Sequence, residues 1–307
     1  MSYSIEVKDL TKKFGDFEAV NNISFNVAKG EIFGFLGPNG AGKSTTIRML
    51  CGILEPTSGT GKVAGYDVLT QSEDIKKNIG YMSQKFSLYD DLTVLENLQL
   101  YAGIYQTPVK ERKKRIGEML EVANLRGEDD VLVGILPAGI KQRLALACSI
   151  VHKPKVLFLD EPTAGVDPIS RRKFWDLIYS MSKSGTTILV TTHYMDEAEY
   201  CFNLALISAG EIIALGSPAH LKNTMMQGEI LEIRADPLMK AIDVLKKGPG
   251  IMEVAVYGDT LHCVVDSIQQ RERSIKDALA DKGIKLSSIA KIDPRLEDVF
   301  VSLVERK

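Results

Sequence analysis

No uninterrupted apolar run of about 18 residues, the length a membrane-crossing helix needs, occurs anywhere in this sequence. The start, Met1-Ser-Tyr-Ser-Ile-Glu6, also lacks the basic-then-apolar layout of a secretion signal. Cysteines are scarce: Cys51, Cys148, Cys201 and Cys263 are far apart and have no metal-ligand spacing. They read as reduced thiols in a cytosolic setting, which excludes a disulfide scaffold. Neither charge is in excess, because 38 Lys and Arg face 40 Asp and Glu for a net charge of −2. That balance argues against a basic nucleic-acid footprint, so no nucleic-acid partner is expected. What remains is ordinary for a globular protein, 45% hydrophobic and 25% charged over 307 residues. A chain of that length holds one large domain and a smaller one.

The informative residues are concentrated. Residues 37–45 read Gly37, Pro38, Asn39, Gly40, Ala41, Gly42, Lys43, Ser44 and Thr45, which fits the phosphate-loop pattern G-x-x-x-x-G-K-[ST]. An apolar run ending at Leu36 precedes it as a buried strand, and Thr46 to Leu50 follows as a helix. Glycines let backbone N–H groups turn toward phosphate oxygens, and the helix N-terminus adds a favourable dipole. Lys43 is placed to reach the β- and γ-phosphates, and the Ser44 hydroxyl to hold Mg²⁺. A second apolar run, Lys155 to Leu159, ends in Asp160 and Glu161. At the end of a parallel strand, Asp160 would hold Mg²⁺ and Glu161 would act as general base on the attacking water. A third strand-like run, Thr186 to Thr192, leads into His193, within reach of a γ-phosphate. His152, His220 and His262 have no such setting and read as structural or exposed.

Phe14 in Thr-Lys-Lys-Phe-Gly, the phosphate loop, Tyr81-Met-Ser-Gln84, Leu159-Asp-Glu-Pro-Thr163, Ala164-Gly-Val-Asp167 and Thr191-Thr-His193 stand in an order and spacing that resemble the ATPase subunits of ABC transporters. The resemblance covers about residues 3–220. It implies ATP and Mg²⁺ as ligands. It also implies that Phe14 stacks on adenine, that Gln84 senses the γ-phosphate and Mg²⁺, that Asp167 contacts an opposing subunit, and that His193 holds γ-phosphate and water. The implied fold is an α/β P-loop NTPase of ABC type, with an antiparallel β subdomain and a helical subdomain near residues 85–150. The ATPase domain is expected over residues 1–227.

One motif departs from the family. Its signature, Leu-Ser-Gly-Gly-Gln at a helix start, faces the phosphate loop of a second subunit. Here it reads Leu136, Pro137, Ala138, Gly139 and Ile140, followed by Lys141-Gln-Arg143. Proline supplies neither the hydroxyl nor the N–H of the serine, and proline is tolerated in a first helical turn. Each lost charge-assisted bond to phosphate should weaken the closed state by about 1.5–3 kcal/mol. Signatures of the form Leu-Pro-x-Gly-x-Lys-Gln-Arg resemble one branch of the ABC-2 export ATPases.

In residues 85–150, Leu92, Leu95, Leu98 and Tyr101 form one helical stripe, and Ile116, Met119, Leu120 and Ala123 another. Phe86, Leu88 and Tyr89 either line a groove for a membrane partner, as the family implies, or belong to the core. The run Lys110 to Arg115 reads as a solvated helix face. From residue 228 onward the order β-α-β-β-α-β predicts a ferredoxin-like α+β domain over 228–307. Its end, Pro294-Arg-Leu-Glu-Asp-Val-Phe300, resembles a tail of drug-export ATPases that is associated with assembly; a plain amphipathic helix fits equally.

The leading expectation is the ATPase of a two-component ABC-2 exporter. It would be driven by dimer closure, peripheral on the inner face of the cell membrane, and partnered by an ABC-2 type permease and by a second ATPase subunit in a homodimer or heterodimer. The alternatives are a catalytically weak regulatory ATPase paired with a second subunit, and a soluble non-transport ATPase.

Overall fold

The computed structural model describes residues 2–85 and 87–305. The chain divides into two compact units, Met1–Leu215 and Gly216–Lys307. The first opens with β1 (Tyr3–Phe14) and β2 (Phe17–Ala28), then β3 (Ile32–Leu36), α1 (Lys43–Leu50), β4 (Ser58–Val63) and β5 (Tyr66–Asp67). Helix α2 (Ser72–Asn78) leads into β6 (Ile79–Met82). Three helices follow: α3 (Val94–Ile104), α4 (Val109–Val122) and α5 (Ala138–Ile150). The unit then runs through β7 (Val156–Asp160), α6 (Pro168–Lys183), β8 (Thr187–Thr192), α7 (Met195–Ala198), β9 (Asn203–Ser208) and β10 (Glu211–Gly216).

Two sheets result. One is ordered β2-β1-β4-β5 with antiparallel pairs, and the other β10-β9-β3-β8-β7-β6. In the second, β3, β7 and β8 are buried at every position, as expected of parallel strands covered on both faces. Parallel register is what assembles the site. Leu36 pairs with Thr192, and Asp160 with Thr191, so the phosphate loop, the two carboxylates and His193 all leave the sheet at one edge.

The helical part follows its apolar spacing. Leu98, Ala102, Ile116, Met119, Leu120 and Ala123 are buried in one core. Helix α3 starts at a capping box, with Thr93 and Glu96 each accepting from the other's backbone N–H. Leu88 packs partly buried on this core and Tyr89 is exposed; Phe86 lies outside the described residues. The charged run differs from the expected solvated face at one position. Lys110, Glu111, Lys113 and Lys114 are exposed, but Arg115 is buried. Its guanidinium donates to the carbonyls of Ile150 and Val151 at 3.0 and 2.8 Å and pairs with Glu118. It thereby satisfies acceptors that the end of α5 leaves free.

His152 sits beside that end. Its ring stacks on Tyr105 at 3.8 Å, and Nε2 lies 2.9 Å from the Ile79 carbonyl. Burial lowers its pKa to about 4. The unfolded chain takes up this proton near pH 6.5, whereas the folded chain refuses it until about pH 4. The stability linked to His152 is therefore complete above pH 6.5 and falls by up to about 3 kcal/mol as pH drops to 4. Urea unfolding at pH 7 and pH 4.5 is expected to show a smaller acid loss in His152→Gln than in the wild type. Equal losses would refute this assignment.

The second unit contains α8 (Pro218–Thr224), β11 (Glu229–Asp236), α9 (Leu238–Leu245), β12 (Ile251–Tyr257), β13 (Thr260–Val265), α10 (Ile268–Asp281), β14 (Lys285–Ile292) and α11 (Leu296–Glu305). Its sheet is antiparallel in the order β12-β13-β11-β14, a ferredoxin-like arrangement. Helices α9 and α10 supply Ile242, Leu245, Ile275 and Leu279 to its core. Within α11, Leu296 and Val299 are buried while Phe300 and Leu303 are half-buried. His262, itself buried, holds this helix through Nδ1, 2.6 Å from Asp298 Oδ1, and stacks on Tyr257 at 3.9 Å.

Candidate nucleotide site

Between β3 and α1 the chain must bend sharply beneath other backbone. A Cβ on Gly37 would lie 2.2 Å from the Ile207 carbonyl oxygen, and one on Gly42 would lie 2.4 Å from that of Ala19. Gly42 also adopts φ +103, a region that glycine enters freely. A side chain at either position would collide with that backbone and push the loop out of place. Helix α1 carries no side-chain cap and no acidic residue in its first turn, so its N-terminal N–H groups face the loop undistracted. Lys43 is only 3% exposed and donates to the carbonyls of Gly37 and Pro38 at 2.7 and 3.1 Å.

Asp160 and Glu161 separate into two settings. Asp160 Oδ1 accepts from Ser44 Oγ at 3.0 Å and from Thr191 Oγ1 at 2.7 Å. A hydroxyl and a carboxylate oxygen this close suit a hard divalent cation whose other ligands are phosphate oxygens and water. Among the described residues no group of three or more His, Cys, Asp or Glu is arranged to hold a metal by itself. Glu161 has φ +49, which costs a non-glycine residue energy. Its N–H, bonded to the Thr191 carbonyl at 3.1 Å and to Thr191 Oγ1 at 3.0 Å, helps hold it there. The turn aims its carboxylate back at the loop. Lys43 Nζ lies 3.3 Å from Oε1, Gln84 Nε2 donates to Oε2 at 3.0 Å, and His193 Nδ1 is 3.2 Å from Oε2, at ion-pair distance without hydrogen-bond alignment. Three side chains from three elements thus meet on one buried carboxylate. Beneath them the Cys51 thiol is pushed well above its ordinary range by burial and then by Asp160, and the Tyr81 hydroxyl is raised to about 12 mainly by burial. Neither is a candidate nucleophile.

The remaining sequence-predicted residues lie at the periphery. Phe14 closes β1, is 51% exposed, and has Lys12 Nζ 5.2 Å from its ring centre, which leaves a face open for stacking. Asp167 is exposed and caps α6, accepting from the Ile169 and Ser170 N–H groups at 3.0 and 2.9 Å. The Ser170 side chain first, and then those backbone bonds, hold its carboxyl below the usual range. At the signature the backbone differs from expectation in one respect. Pro137 is the capping residue of α5, not a member of its first turn, with φ −58 and ψ 150 and no side-chain cap. A serine there would be a helix cap as well as a phosphate ligand, and lacking one costs the helix about 1 kcal/mol. Ala138 begins α5. Gly139 is needed, since a Cβ would meet Ser170 Oγ at 2.8 Å, and Ile140 packs on the helical core below the buried Leu136. Thr45 follows Ser44 in the first turn of α1.

Several residues that matter to this geometry carried no role in the sequence reading. Thr191 holds the Asp160 carboxylate and the backbone N–H of Glu161; its only signal was a run of hydroxyls before His193. Gln142, fully buried, donates from Nε2 to the Pro162 carbonyl and ties the signature helix to the carboxylate loop. Lys141 pairs with Asp90 at 2.9 Å, linking that helix to the segment after Gln84. The last two stood in the sequence only as the continuation of the signature, Lys141-Gln-Arg143, and no local pattern names their partners.

A family profile described as ABC transporter matches residues 20–164, and a second, described as AAA domain, putative AbiEii toxin, Type IV TA system, matches residues 139–195. The probable multidrug ABC transporter ATP-binding protein YbhF of Escherichia coli (strain K12) is 50% identical over 236 residues, 77% of this chain; the chain spans only 40% of that relative's length. Nod factor export ATP-binding protein I of Rhizobium sp. (strain N33) is 36% identical over 305 residues, covering 99% of this chain and 98% of the relative. Among solved structures, cbiO1 from Clostridium perfringens, part of the ABC transporter complex cbiONQ, superposes with a TM-score of 0.67 at 31% identity, covering 73% of this chain and 92% of that one. The ATP-binding cassette MJ0796, in a dimeric post-hydrolysis state with ADP and Pi, has a TM-score of 0.63 at 27% identity, covering 69% and 98%.

Proposed function

Starting from the chain's membership of the ABC transporter ATP-binding subunits, and hence from an ATPase activity, we propose that it powers a two-component ABC-2 type exporter through ATP-driven dimer closure. The observation that carries the proposal is the meeting of Lys43, Gln84 and His193 on Glu161 at 3.0–3.3 Å. In this reading the loop N–H groups and Lys43 bind the β- and γ-phosphates, and Phe14 stacks on adenine. Ser44, Asp160 and Gln84 would hold Mg²⁺, which supplies charge neutralisation at the phosphate oxygens. Glu161 takes a proton from water as that oxygen attacks the γ-phosphorus and the bond to the bridging oxygen of ADP breaks. His193 and Gln84 position Glu161 and that water. Leu136, Pro137, Ala138, Gly139 and Ile140 complete the site of the opposing subunit, and Asp167 lies against it.

No helix among the described residues is long and apolar enough to cross a membrane. A separate ABC-2 permease would therefore carry the cargo, with this chain cytoplasmic at the inner face of the membrane. The names of the Escherichia coli and Rhizobium relatives support export.

Pro137 at the cap of α5 favours a second reading, a chain that hydrolyses weakly as a homodimer and fully only opposite a subunit with an intact signature. One experiment separates them. Pro137→Ser with Ala138→Gly restores a cap, a hydroxyl and a close backbone approach. At about 1.5–3 kcal/mol per recovered bond to phosphate, turnover of the purified chain is expected to rise at least tenfold if the signature limits it. Unchanged turnover would show that Pro137 and Ala138 do not limit the site. Wild-type chain that hydrolyses ATP and dimerises with ATP and Mg²⁺ supports the homodimer; chain that binds ATP but does neither needs a partner subunit.

A further inference from the structure

Glu197 on α7 takes no part in the chemistry above, yet it is 0% exposed. A carboxylate without water is unfavourable unless it is hydrogen-bonded and paired. Glu197 is both, and its partners come from three parts of the site. Oε2 accepts from Thr192 Oγ1 at 2.8 Å, the residue before His193. Oε1 accepts from Thr163 Oγ1, in the loop that follows Glu161. Arg171 Nε lies 3.4 Å from Oε1, and Arg171 belongs to the first turns of α6, where its own N–H bonds to the Asp167 carbonyl at 2.9 Å. The guanidinium is held on its other sides by the Tyr194 ring at 4.4 Å and Asp196 at 3.4 Å.

We propose that Glu197 is a positioning residue that makes the start of α6, the Glu161 loop and His193 move as one body. The exposed Asp167 edge is thereby tied to the Glu161–His193 pair. The proposal rests on the ATPase reading and adds to it how the two sides of the site stay in register. Phe14 and the phosphate loop make no contact in this network, so nucleotide affinity should not depend on it.

The test uses the full chain with Glu197→Gln, which keeps size and one acceptor oxygen but removes the charge facing Arg171. Its kcat is expected to fall about tenfold or more, since small misplacement of reacting groups costs that much. The KM for ATP and the melting temperature should stay at wild-type values. Arg171→Gln should lower kcat as well, and the melting temperature with it because the Glu197 charge is left unpaired, but add nothing to the loss of kcat in the Glu197→Gln background. Hydrogen exchange with ATP bound reports without turnover. In wild type, residues 161–167 and 192–197 should gain protection together; in Glu197→Gln one segment should gain it without the other. An unchanged kcat, or a joint fall of kcat, affinity and melting temperature, would overturn the proposal. If the wild type binds no ATP, the ATPase reading fails first; if it binds ATP without hydrolysing it, the chain needs a partner subunit, and unchanged joint protection in Glu197→Gln then overturns this proposal separately.

Discussion

Glu161→Gln is expected to lower steady-state ATP turnover about 10²- to 10⁴-fold, the span that a positioned general base contributes, while ATP still binds. The reason is geometric. Glu161 holds φ +49 through its N–H bonds to Thr191, which do not involve the side chain, so the amide should occupy the place of the carboxylate. It can still accept from Gln84 through its oxygen, but it loses its charge toward Lys43, 3.3 Å away, and its basicity toward water. Phosphate release and fluorescent-nucleotide binding, measured on the same preparation, separate the two effects. Turnover within tenfold of wild type would remove Glu161 from the role of base. An ATP-dependent dimer that persists in this variant, followed by size-exclusion chromatography, is the expected companion result.

Lys43→Met is the second. Its expected result is loss of ATP binding, with the dissociation constant raised about 10²- to 10⁴-fold. This follows from two lost charge-assisted contacts to the β- and γ-phosphates at about 1.5–3 kcal/mol each. Methionine nearly matches the lysine stem, which suits a side chain only 3% exposed. It gives up the bonds to the Gly37 and Pro38 carbonyls and leaves Glu161 to Gln84 and His193. A melting curve beside the binding curve shows whether the loop has merely collapsed. Binding within fivefold of wild type, with melting unchanged, would sink the assignment of Lys43.

The two substitutions fail differently, and the difference tests the layout. In the proposed site Glu161 would lie past the phosphates and should affect turnover alone, whereas Lys43 would lie among them and should affect affinity first. A variant pair in which both lose binding equally would mean that the loop and the carboxylate are one structural unit, not two functional ones.

Elements whose information is contiguous in the chain were legible from the residues alone. The phosphate loop is legible because glycines, lysine and serine act within nine successive residues between a strand and a helix. The parallel strands are legible because burial on both faces demands unbroken apolar runs, as in Val156 to Leu159 and Ile188 to Val190. The β-α-β-β-α-β order of the second unit was readable for the same reason, from turn residues and alternating periods. Which of these elements meet is set by the folded arrangement. The pairing of Leu36 with Thr192 and of Asp160 with Thr191 brings loop, carboxylates and His193 to one sheet edge, and no local signal carries a parallel register. The burial of Arg115 within a charged run and the Glu197 network depend on partners distant in the chain. Arg115 reaches carbonyls 35 and 36 residues away, and Thr163 meets Glu197 across 34. Such polar contacts leave no periodicity in the sequence, because a carboxylate or guanidinium needs only one well-placed partner, and chain closure in three dimensions supplies it.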